Sequence, residues 1–460
     1  MPPGKPRRGT PKPSRQGPGH SETGTAIERQ PGSPWLVLAI VAVLFAAGLA
    51  GRVAALNLPR ISASRVVTTH TRWEPSAFRR FLENDEKIYV ALVEQLEAGR
   101  GYTLQGHAIL SEPWIVSEQY GRKLFFHPPG GVGLFWLMHR IAGDQGYPLA
   151  QVFSYGVFFA SLMWLGTLVI RPFGPIAATA LGSLGAITPL MAHAVGRFWL
   201  DGPLLAFATL ASALFVAGAL RRRFGLVVLA GVTLGFATLI KATAVLVVPG
   251  ALALVWAIQP GQTWRELGRA CAAWLAVAFL AHAPWLIWQW SELGTPFPAW
   301  SGRPDPRLVR SNGYVHYLTV VRTSWTYLEL LPQVMWTLVP AVLLWLRTRR
   351  VGDSGRIGAA LLIWIGTVVG AHMVLGSMGY SKVLRYVILM VPGAALLFAL
   401  ALDRGLRIIR PRGRLAAGVV VLVVLAIAGL GLEIAQGLRS SLIDNARQDL
   451  IQPLLSGRDN

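Results

Sequence analysis

Long apolar runs separated by short polar segments fill most of the chain. Each run holds about 17 to 25 residues with few charges, the length that a helix needs to cross a hydrocarbon core about 30 Å thick. Closed β-barrels lack such runs, so the pattern predicts helical spans. We predict spans at 35–56, 147–170, 174–195, 202–220, 224–240, 242–258, 270–290, 331–346, 357–375, 383–402 and 415–434. The predicted fold class is an all-α integral membrane protein with about 11 transmembrane helices.

Basic residues indicate the direction of these spans. They gather in every second loop between the predicted spans, so that all of these loops lie on one side of the membrane. The basic positions are Arg171, 221–223, 265–269, 347–356 and 403–414. Short positive loops stay in the cytoplasm, so the amino-terminal end is predicted inside and the end after residue 434 outside.

The chain then divides into three predicted parts. Residues 1–34 are rich in Pro, Gly and Arg and hold too little apolar surface to bury, which predicts a disordered basic cytoplasmic tail. Residues 35–434 form the polytopic transmembrane domain. Residues 435–460 form an extracytoplasmic tail.

The first extracytoplasmic segment, 57–146, is too long to be a mere connection. Ile88, Leu92 and Leu96 repeat with helical spacing, which predicts an ordered helix. The apolar stretch 131–143 is too short to cross a membrane and favours an interfacial or re-entrant helix. We therefore expect juxtamembrane helices in this loop.

Composition agrees with a membrane protein, since 53% of the residues are hydrophobic and only 14% are charged. The formal charge of +21 would suit nucleic acid, but the basic residues sit in the tail and the loops. They are better explained as topology signals and contacts with anionic membrane lipid, so no nucleic-acid partner is predicted. The high content of Ala, Gly and Arg suggests a bacterial protein. A bacterial protein with many helical spans is expected in the inner membrane.

The stretch FLENDEKIYVALVEQLEAG, 81–99, is unusually acidic for this chain. Asp85 and Glu86 would stand at the start of the predicted helix, one position apart and close to Tyr89. A helix dipole favours acidic residues at its amino end, so helix stability alone could explain why both acids stand there. The alternative, that they serve a site at the membrane surface, is equally open.

The segment KLFFHPPGG, 123–131, combines prolines that fix the backbone with glycines that permit tight turns. Such a turn can present Lys123 and His127 to a site. A histidine before proline can also be no more than a turn residue.

Asp201 in GRFWLDGPLL is the only carboxylate between Asp144 and Glu266, and it lies at the outer mouth between two spans. It could cap a helix and pair with Arg197 nearby. It could equally be held there for a substrate or a metal ion.

Cations stand on the outer side as well, where the positive-inside tendency does not place them. Lys241 ends one span, and Lys382, Arg385 and Tyr386 open another. A bound phosphate would suit these cations, although a lysine can also snorkel to lipid headgroups. Together with the carboxylates, they fit an anionic substrate embedded in the membrane.

Five motifs occur in a telling order: "DE..Y" in the first outer loop, "HPPG", "GR...D.P", "G.AT..K" and "K..RY...MVPG". Over about 57–402 the chain resembles the polytopic glycosyltransferases of the GT-C superfamily. The resemblance is to the branch of protein O-mannosyltransferase-like and aminoarabinose-transferase-like enzymes.

The resemblance implies transfer of a sugar from a polyprenyl-phosphate-linked donor to a glycan, lipid or protein acceptor at the extracytoplasmic face, with inversion in a single displacement. It also implies roles for individual residues. Asp85 matches the catalytic acid of the first loop with Glu86 as its companion, Asp201 matches the second-loop carboxylate, and Lys241, Lys382, Arg385 and Tyr386 fall where the donor phosphate is held. Tyr89, Lys123, His127 and Arg197 are further candidates for substrate binding.

A divalent metal ion is an optional cofactor in this hypothesis, with Asp85, Asp201 and His127 as candidate ligands. The lone Cys271 excludes a cysteine-based site and an intramolecular disulfide. Two rival functions remain: a lipid or sugar transporter, and a non-catalytic assembly protein. Transporters often carry ionisable groups near mid-span, whereas here the carboxylates lie at span ends beside a large outer loop.

Overall fold

The computed structural model describes residues 33–57, 84–112, 115, 120–188, 190, 198–296, 336–350, 352–377, 384–409 and 414–439. Within these ranges every regular element is helical and no strand occurs, so the all-α prediction is confirmed there. The predicted tails lie almost wholly outside the described residues, as do Arg197 and Lys382.

The described part of the chain contains thirteen α-helices. They are α1 (Pro34–Asn57), α2 (Asn84–Glu97), α3 (Gly130–Ala142), α4 (Gly146–Val169), α5 (Pro175–Ile187), α6 (Asp201–Leu220), α7 (Phe224–Ile240), α8 (Val248–Ile258), α9 (Trp264–Leu293), α10 (Leu338–Thr348), α11 (Ser354–Ser377), α12 (Val391–Ile409) and α13 (Arg414–Arg439). Short 3₁₀ helices occur at Ala108–Ser111, Gly143–Gln145, Ala242–Val247 and Leu384–Met390.

Seven helical segments in the described residues are long and apolar enough to cross a membrane. They are Pro34–Val53, Gly130–Val169, Asp201–Leu220, Trp264–Leu293, Ser354–Val374, Arg385–Ile408 and Gly418–Ala435. Four more apolar helices are shorter: Pro175–Ile187, Phe224–Ile240, Ala242–Ile258 and Leu338–Thr348. Every predicted span overlaps one of these segments. The count of eleven stays a prediction, because Pro175–Ile187 and Leu338–Thr348 are shorter than the roughly 17 residues that a crossing helix needs.

The two helices predicted in the first loop are present as α2 and α3. The predicted apolar stripe of α2 packs inward, with Ile88 and Leu92 buried. Helix α3 begins one residue before the predicted stretch and ends at Ala142, where Gly143 follows with a positive φ of 57°. Their placement at the membrane surface stays a prediction.

Helix α6 is buried and packs against α4 and α7, and α7 in turn packs against the more exposed α9. Gly231 and Gly235 on α7 face α9 so closely that an added Cβ would lie 2.6 Å from Val277 and 2.5 Å from Ala281. Lipid tails are as apolar as the helices, so helices in a membrane associate through close van der Waals packing, which small residues permit. This close packing holds α7 against α9.

Two helices are interrupted at matching places. Helix α7 ends at Ile240, a 3₁₀ segment follows, and α8 resumes at a Val-Pro-Gly sequence. The 3₁₀ segment Leu384–Met390 precedes α12, which also opens with Val-Pro-Gly. Each break brings one cation to the same region of the molecule: Lys241 in the first and Arg385 in the second.

Trp364 of α11 lies between the two interruptions. A Cβ added to Gly250 would lie 2.5 Å from this side chain and one added to Gly393 would lie 3.1 Å from it. The indole Nε1 donates a 2.9 Å hydrogen bond to the carbonyl of Leu389, inside the second break. One buried tryptophan therefore sets the distance between the two cation-bearing segments.

Candidate functional site

Four charged side chains from distant parts of the sequence meet in one cluster, which we call the charged cluster: Asp85, Asp201, Lys241 and Arg385. Lys241 Nζ lies 2.7 Å from Asp201 Oδ1, and Arg385 Nε lies 3.8 Å from Asp201 Oδ2. Arg385 Nη2 donates to Asp85 Oδ2. The two cations and two carboxylates alternate along this chain of contacts, so their formal charges cancel.

The local structure explains why a carboxylate stands at position 201. Asp201 is the first residue of α6, where the helix dipole favours negative charge. Its side chain is only 2% exposed, and its Oδ2 accepts no hydrogen bond from a residue that the structure describes. Burying a carboxylate is costly unless it is paired, so Lys241 and Arg385 are required partners.

Asp85 is the accessible member of the cluster. It stands in the first turn of α2 with its side chain 41% exposed, whereas Arg385 is 10% exposed. The Arg385 guanidinium also lies over the ring of Trp199, 4.0 Å from its centroid. A new anion at this guanidinium would compete with the two acids that already neutralise it.

The HPPGG turn docks on the same place. An added Cβ on Gly130 would lie 2.8 Å from the backbone carbon of Leu239, and one on Gly131 would lie 2.5 Å from the side chain of Leu200. Gln289 Nε2 donates to the carbonyl of Phe126 at 2.8 Å. The two glycines therefore let the turn touch the end of α7 and the residue before α6.

His127 is presented by this turn, with its ring exposed and 4.4 Å from that of Phe126. The pKa of His127 is lowered to about 4, mainly because surrounding protein displaces bulk water; the Lys241 ammonium adds to the lowering and the Asp85 carboxylate opposes it. The imidazole is therefore neutral at pH 7.

Three tyrosines surround the cluster. Tyr386 faces both cations, with Lys241 Nζ 5.3 Å and Arg385 Cζ 5.7 Å from its ring centroid. Burial, and then the Asp85 carboxylate, raise the pKa of Tyr89 well above its usual value. The same two causes, in the same order, raise the pKa of Tyr120. The phenols of Tyr89 and Tyr120 are therefore protonated at neutral pH and can donate hydrogen bonds.

Glu86 is next to Asp85 in sequence, but its described hydrogen bond is to a residue outside the charged cluster. It is fully buried, and its Oε1 accepts a 2.7 Å hydrogen bond from the backbone N–H of Phe198. Lys87, which follows it, lies 3.8 Å from Glu112 and belongs to a separate ion pair. Of the acidic pair, the structure places only Asp85 in the cluster.

Other predicted residues lie elsewhere. Lys123 is exposed and forms no ion pair with a residue that the structure describes. Arg197, the expected local partner of Asp201, and Lys382, an expected phosphate ligand, fall outside the described ranges. Asp201 pairs instead with Lys241, forty residues away.

The residues do not favour a metal site. No group of three or more His, Cys, Asp or Glu side chains that could hold a metal ion occurs in the described ranges. Asp85 and Asp201, two of the candidate ligands, share Arg385 as their common cation. The guanidinium thus supplies positive charge where a bridging metal would be needed.

Two site residues were not predicted. Trp199 lies two residues before Asp201 and supports Arg385, and Tyr120 is close enough to Asp85 for the carboxylate to raise the pKa of its phenol. Both are aromatic residues beside predicted motifs, and that proximity was the available signal. Neither contact could be inferred, since each joins segments far apart in sequence.

The helical fold, in which the first outer loop and two 3₁₀ segments meet at paired acids and cations, is similar to that of solved membrane glycosyltransferases. The resemblance to the GT-C superfamily found from the sequence is therefore confirmed at the level of the fold. Residues 126–288 match the family model described as dolichyl-phosphate-mannose-protein mannosyltransferase.

Two solved structures are similar to this chain. ArnT from Cupriavidus metallidurans, bound to undecaprenyl phosphate, is 16% identical with a TM-score of 0.52, and the match covers 93% of this chain and 80% of ArnT. The archaeal oligosaccharyltransferase AglB from Archaeoglobus fulgidus, in complex with an inhibitory peptide and a dolichol-phosphate, is 13% identical with a TM-score of 0.50. That match covers 89% of this chain and 56% of AglB. No curated protein sequence matches the chain significantly.

Proposed function

We propose that this protein transfers a sugar from a polyprenyl-phosphate-linked donor to an acceptor at the extracytoplasmic face of a bacterial inner membrane. The observation that carries the proposal is the charged cluster. Its accessible acid can take a proton from an acceptor, and its two cations can hold a departing phosphate. Both groups are needed to displace a lipid phosphate from an anomeric carbon.

The proposed reaction is a single displacement. Asp85 accepts the proton of the acceptor hydroxyl while the acceptor oxygen bonds to the anomeric carbon. At the same time, the bond from that carbon to the phosphate oxygen breaks. The electron pair leaves with the polyprenyl phosphate, whose negative charge Arg385 and Lys241 stabilise. Attack opposite the leaving group inverts the anomeric centre.

Donor binding must change the resting contacts. Arg385 and Lys241 are already neutralised by Asp201 and Asp85, so an incoming phosphate has to compete for them. Asp85 is far more exposed than Asp201 and is therefore the partner that Arg385 can release. The same exchange would free the Asp85 carboxylate to act as a base, which makes donor binding the first step.

The comparisons support a lipid-linked donor. The matching family model concerns a dolichyl-phosphate-mannose-dependent transferase, and the ArnT and AglB structures hold undecaprenyl phosphate and a dolichol-phosphate. Each of these ligands presents a phosphate on a long isoprenoid chain. A membrane-embedded phosphate is the chemistry that the cations of the cluster fit.

Sugar transfer in proteoliposomes tests the proposal. A panel of radiolabelled polyprenyl-phosphate sugars is supplied with acceptor-containing membranes, and product is counted for the wild type and for Asp85→Asn. Glu94→Gln is the matched control, because Glu94 lies on the same helix with a similar exposure of 39% and pairs with His107 instead.

We expect transfer from one donor by the wild type and by Glu94→Gln. Asp85→Asn should lose at least about a hundredfold in turnover while remaining folded, as is typical when a general base is removed. Equal activity of Asp85→Asn and wild type would contradict the assigned base. Movement of labelled lipid across the bilayer without transfer from any donor would favour the transporter.

A further inference from the structure

Two buried side chains hold the turn that precedes α6. Glu86 Oε1 accepts from the N–H of Phe198 at 2.7 Å, and Gln151 Nε2 donates to the carbonyl of Trp199 at 2.9 Å. Glu86 comes from α2 and Gln151 from α4, and both are 0% exposed. One backbone donor and one backbone acceptor of adjacent residues are thus fixed from different helices.

The turn carries two parts of the charged cluster. The Trp199 ring lies 4.0 Å from the Arg385 guanidinium, and Asp201 follows two residues later to pair with Lys241. Any shift of residues 198–200 would therefore move the support of one cation and the partner of the other. A displacement of about 1 Å at a catalytic constellation can cost on the order of a hundredfold in rate.

We propose that Glu86 and Gln151 are positioning residues, which hold this turn so that Trp199 and Asp201 place Arg385 and Lys241 for the donor phosphate. This inference rests on the proposed function. It gives the consecutive acids Asp85 and Glu86 different tasks: Asp85 is exposed to substrate, and Glu86 acts through the backbone of Phe198. It also gives Gln151 a task.

The two possible roles of Glu86 have different chemical requirements. A catalytic carboxylate needs its charge, whereas an acceptor for a backbone N–H needs only an oxygen at the right place. Glutamine keeps that oxygen and the side-chain length, and alanine keeps neither. Glu86→Gln and Glu86→Ala therefore separate positioning from catalysis.

Transfer kinetics give the first test. Glu86→Gln should stay within about threefold of wild type, while Glu86→Ala should lose at least about tenfold in kcat/KM, with a raised KM for the donor. Gln151→Met, which keeps the size but not the donor, should resemble Glu86→Ala. Glu94→Gln is the control for mutation of α2. If Glu86→Gln were as inactive as Glu86→Ala while the Phe198 amide stayed as protected as in wild type, the charge would be essential and the positioning role would be wrong.

Backbone hydrogen exchange gives a second test that does not depend on activity. The amide of Phe198 should exchange on the order of tenfold faster in Glu86→Ala than in wild type, and at the wild-type rate in Glu86→Gln. Unchanged exchange in Glu86→Ala would overturn the inference. If the wild type transferred no sugar but this exchange pattern held, the proposed function would be wrong. The support of the turn by Glu86 would still be confirmed.

Discussion

Among single residues, Arg385 has the most constrained position. It contacts Asp85, approaches Asp201 and lies over Trp199, and these three partners come from the first and second outer segments. Lys241 has one carboxylate partner and is more exposed. We therefore expect Arg385 to set the geometry of the cluster and Lys241 to add charge to it.

The Asp201–Lys241 pair gives a prediction about stability. Asp201→Asn leaves two cations with one remaining acid and should cost about 3 kcal/mol, because breaking a buried pair strands charge. Asp201→Asn with Lys241→Met should be less destabilising than the sum of the single changes. Thermal unfolding in detergent measures the three variants.

The exposed pair Arg356–Asp353 is the control for that cycle, since its atoms lie at a similar distance of 2.8 Å. Arg356→Ala should change stability by less than about 0.5 kcal/mol, as is usual for surface pairs. Additive effects of Asp201→Asn and Lys241→Met would show that the two side chains do not depend on each other.

His127 gives a prediction about pH. Its pKa of about 4 means that the imidazole stays neutral, and therefore nucleophilic, from pH 7.5 down to pH 5.5. Acylation by diethylpyrocarbonate, followed by peptide mass spectrometry, should proceed at a nearly constant rate across that range. N-acetylhistidine, with the ordinary value of about 6.5, should slow severalfold. A parallel slowing of His127 would contradict its lowered pKa.

The sequence alone predicted Asp201, Lys241 and Arg385, because a charge at the end of an apolar span is conspicuous. It predicted Asp85 because that residue lies in an unusually acidic stretch of the first outer loop. It could not separate Asp85 from Glu86, since the two are adjacent and chemically alike and only the fold turns one toward Phe198. The contact of Trp199 with Arg385 joins positions 186 residues apart, which no local pattern records.

Among the elements, α3 and its preceding turn connect the first loop to the cluster. Gly130→Ala should push the HPPGG turn away from the backbone of Leu239, where no flexible side chain can yield, and cost about 1–3 kcal/mol. Gly133→Ala on the same helix meets nothing within 4 Å and should be neutral or slightly stabilising.

The readout is the apparent melting temperature together with sugar transfer. Gly130→Ala should lower both, since His127 and the start of α6 move with the turn. Equal melting temperatures and activities for Gly130→Ala and Gly133→Ala would show that the close approach has no energetic consequence.

Element boundaries were predicted well where the pattern changes sharply and less well elsewhere. The break at Lys241 was recognised because a charge interrupts two apolar runs, and the structure has a 3₁₀ segment there. Helix α9 begins at Trp264, six residues before the predicted span, because Thr263 and Glu266 form a capping box that starts a helix regardless of nearby arginines. A hydropathy pattern identifies the apolar part of a membrane-spanning helix but does not detect a first turn made of polar residues.

For the whole molecule, the account predicts which loops face outward. In a Cys271→Ala background, Ser111→Cys and Gly261→Cys each place a thiol at an exposed position. A membrane-impermeant maleimide should label Ser111→Cys in intact spheroplasts and Gly261→Cys only after permeabilisation. The reverse pattern would put the charged cluster on the cytoplasmic side.

The central claim is that the charged cluster transfers a sugar and releases a lipid phosphate. The most direct measurement uses a donor labelled separately in its sugar and its phosphate, with both products counted in one proteoliposome reaction. The account predicts one polyprenyl phosphate released for each sugar transferred by the wild type, and neither product from Asp85→Asn. Release of phosphate without a glycosylated acceptor, or full activity in the variant, would contradict it.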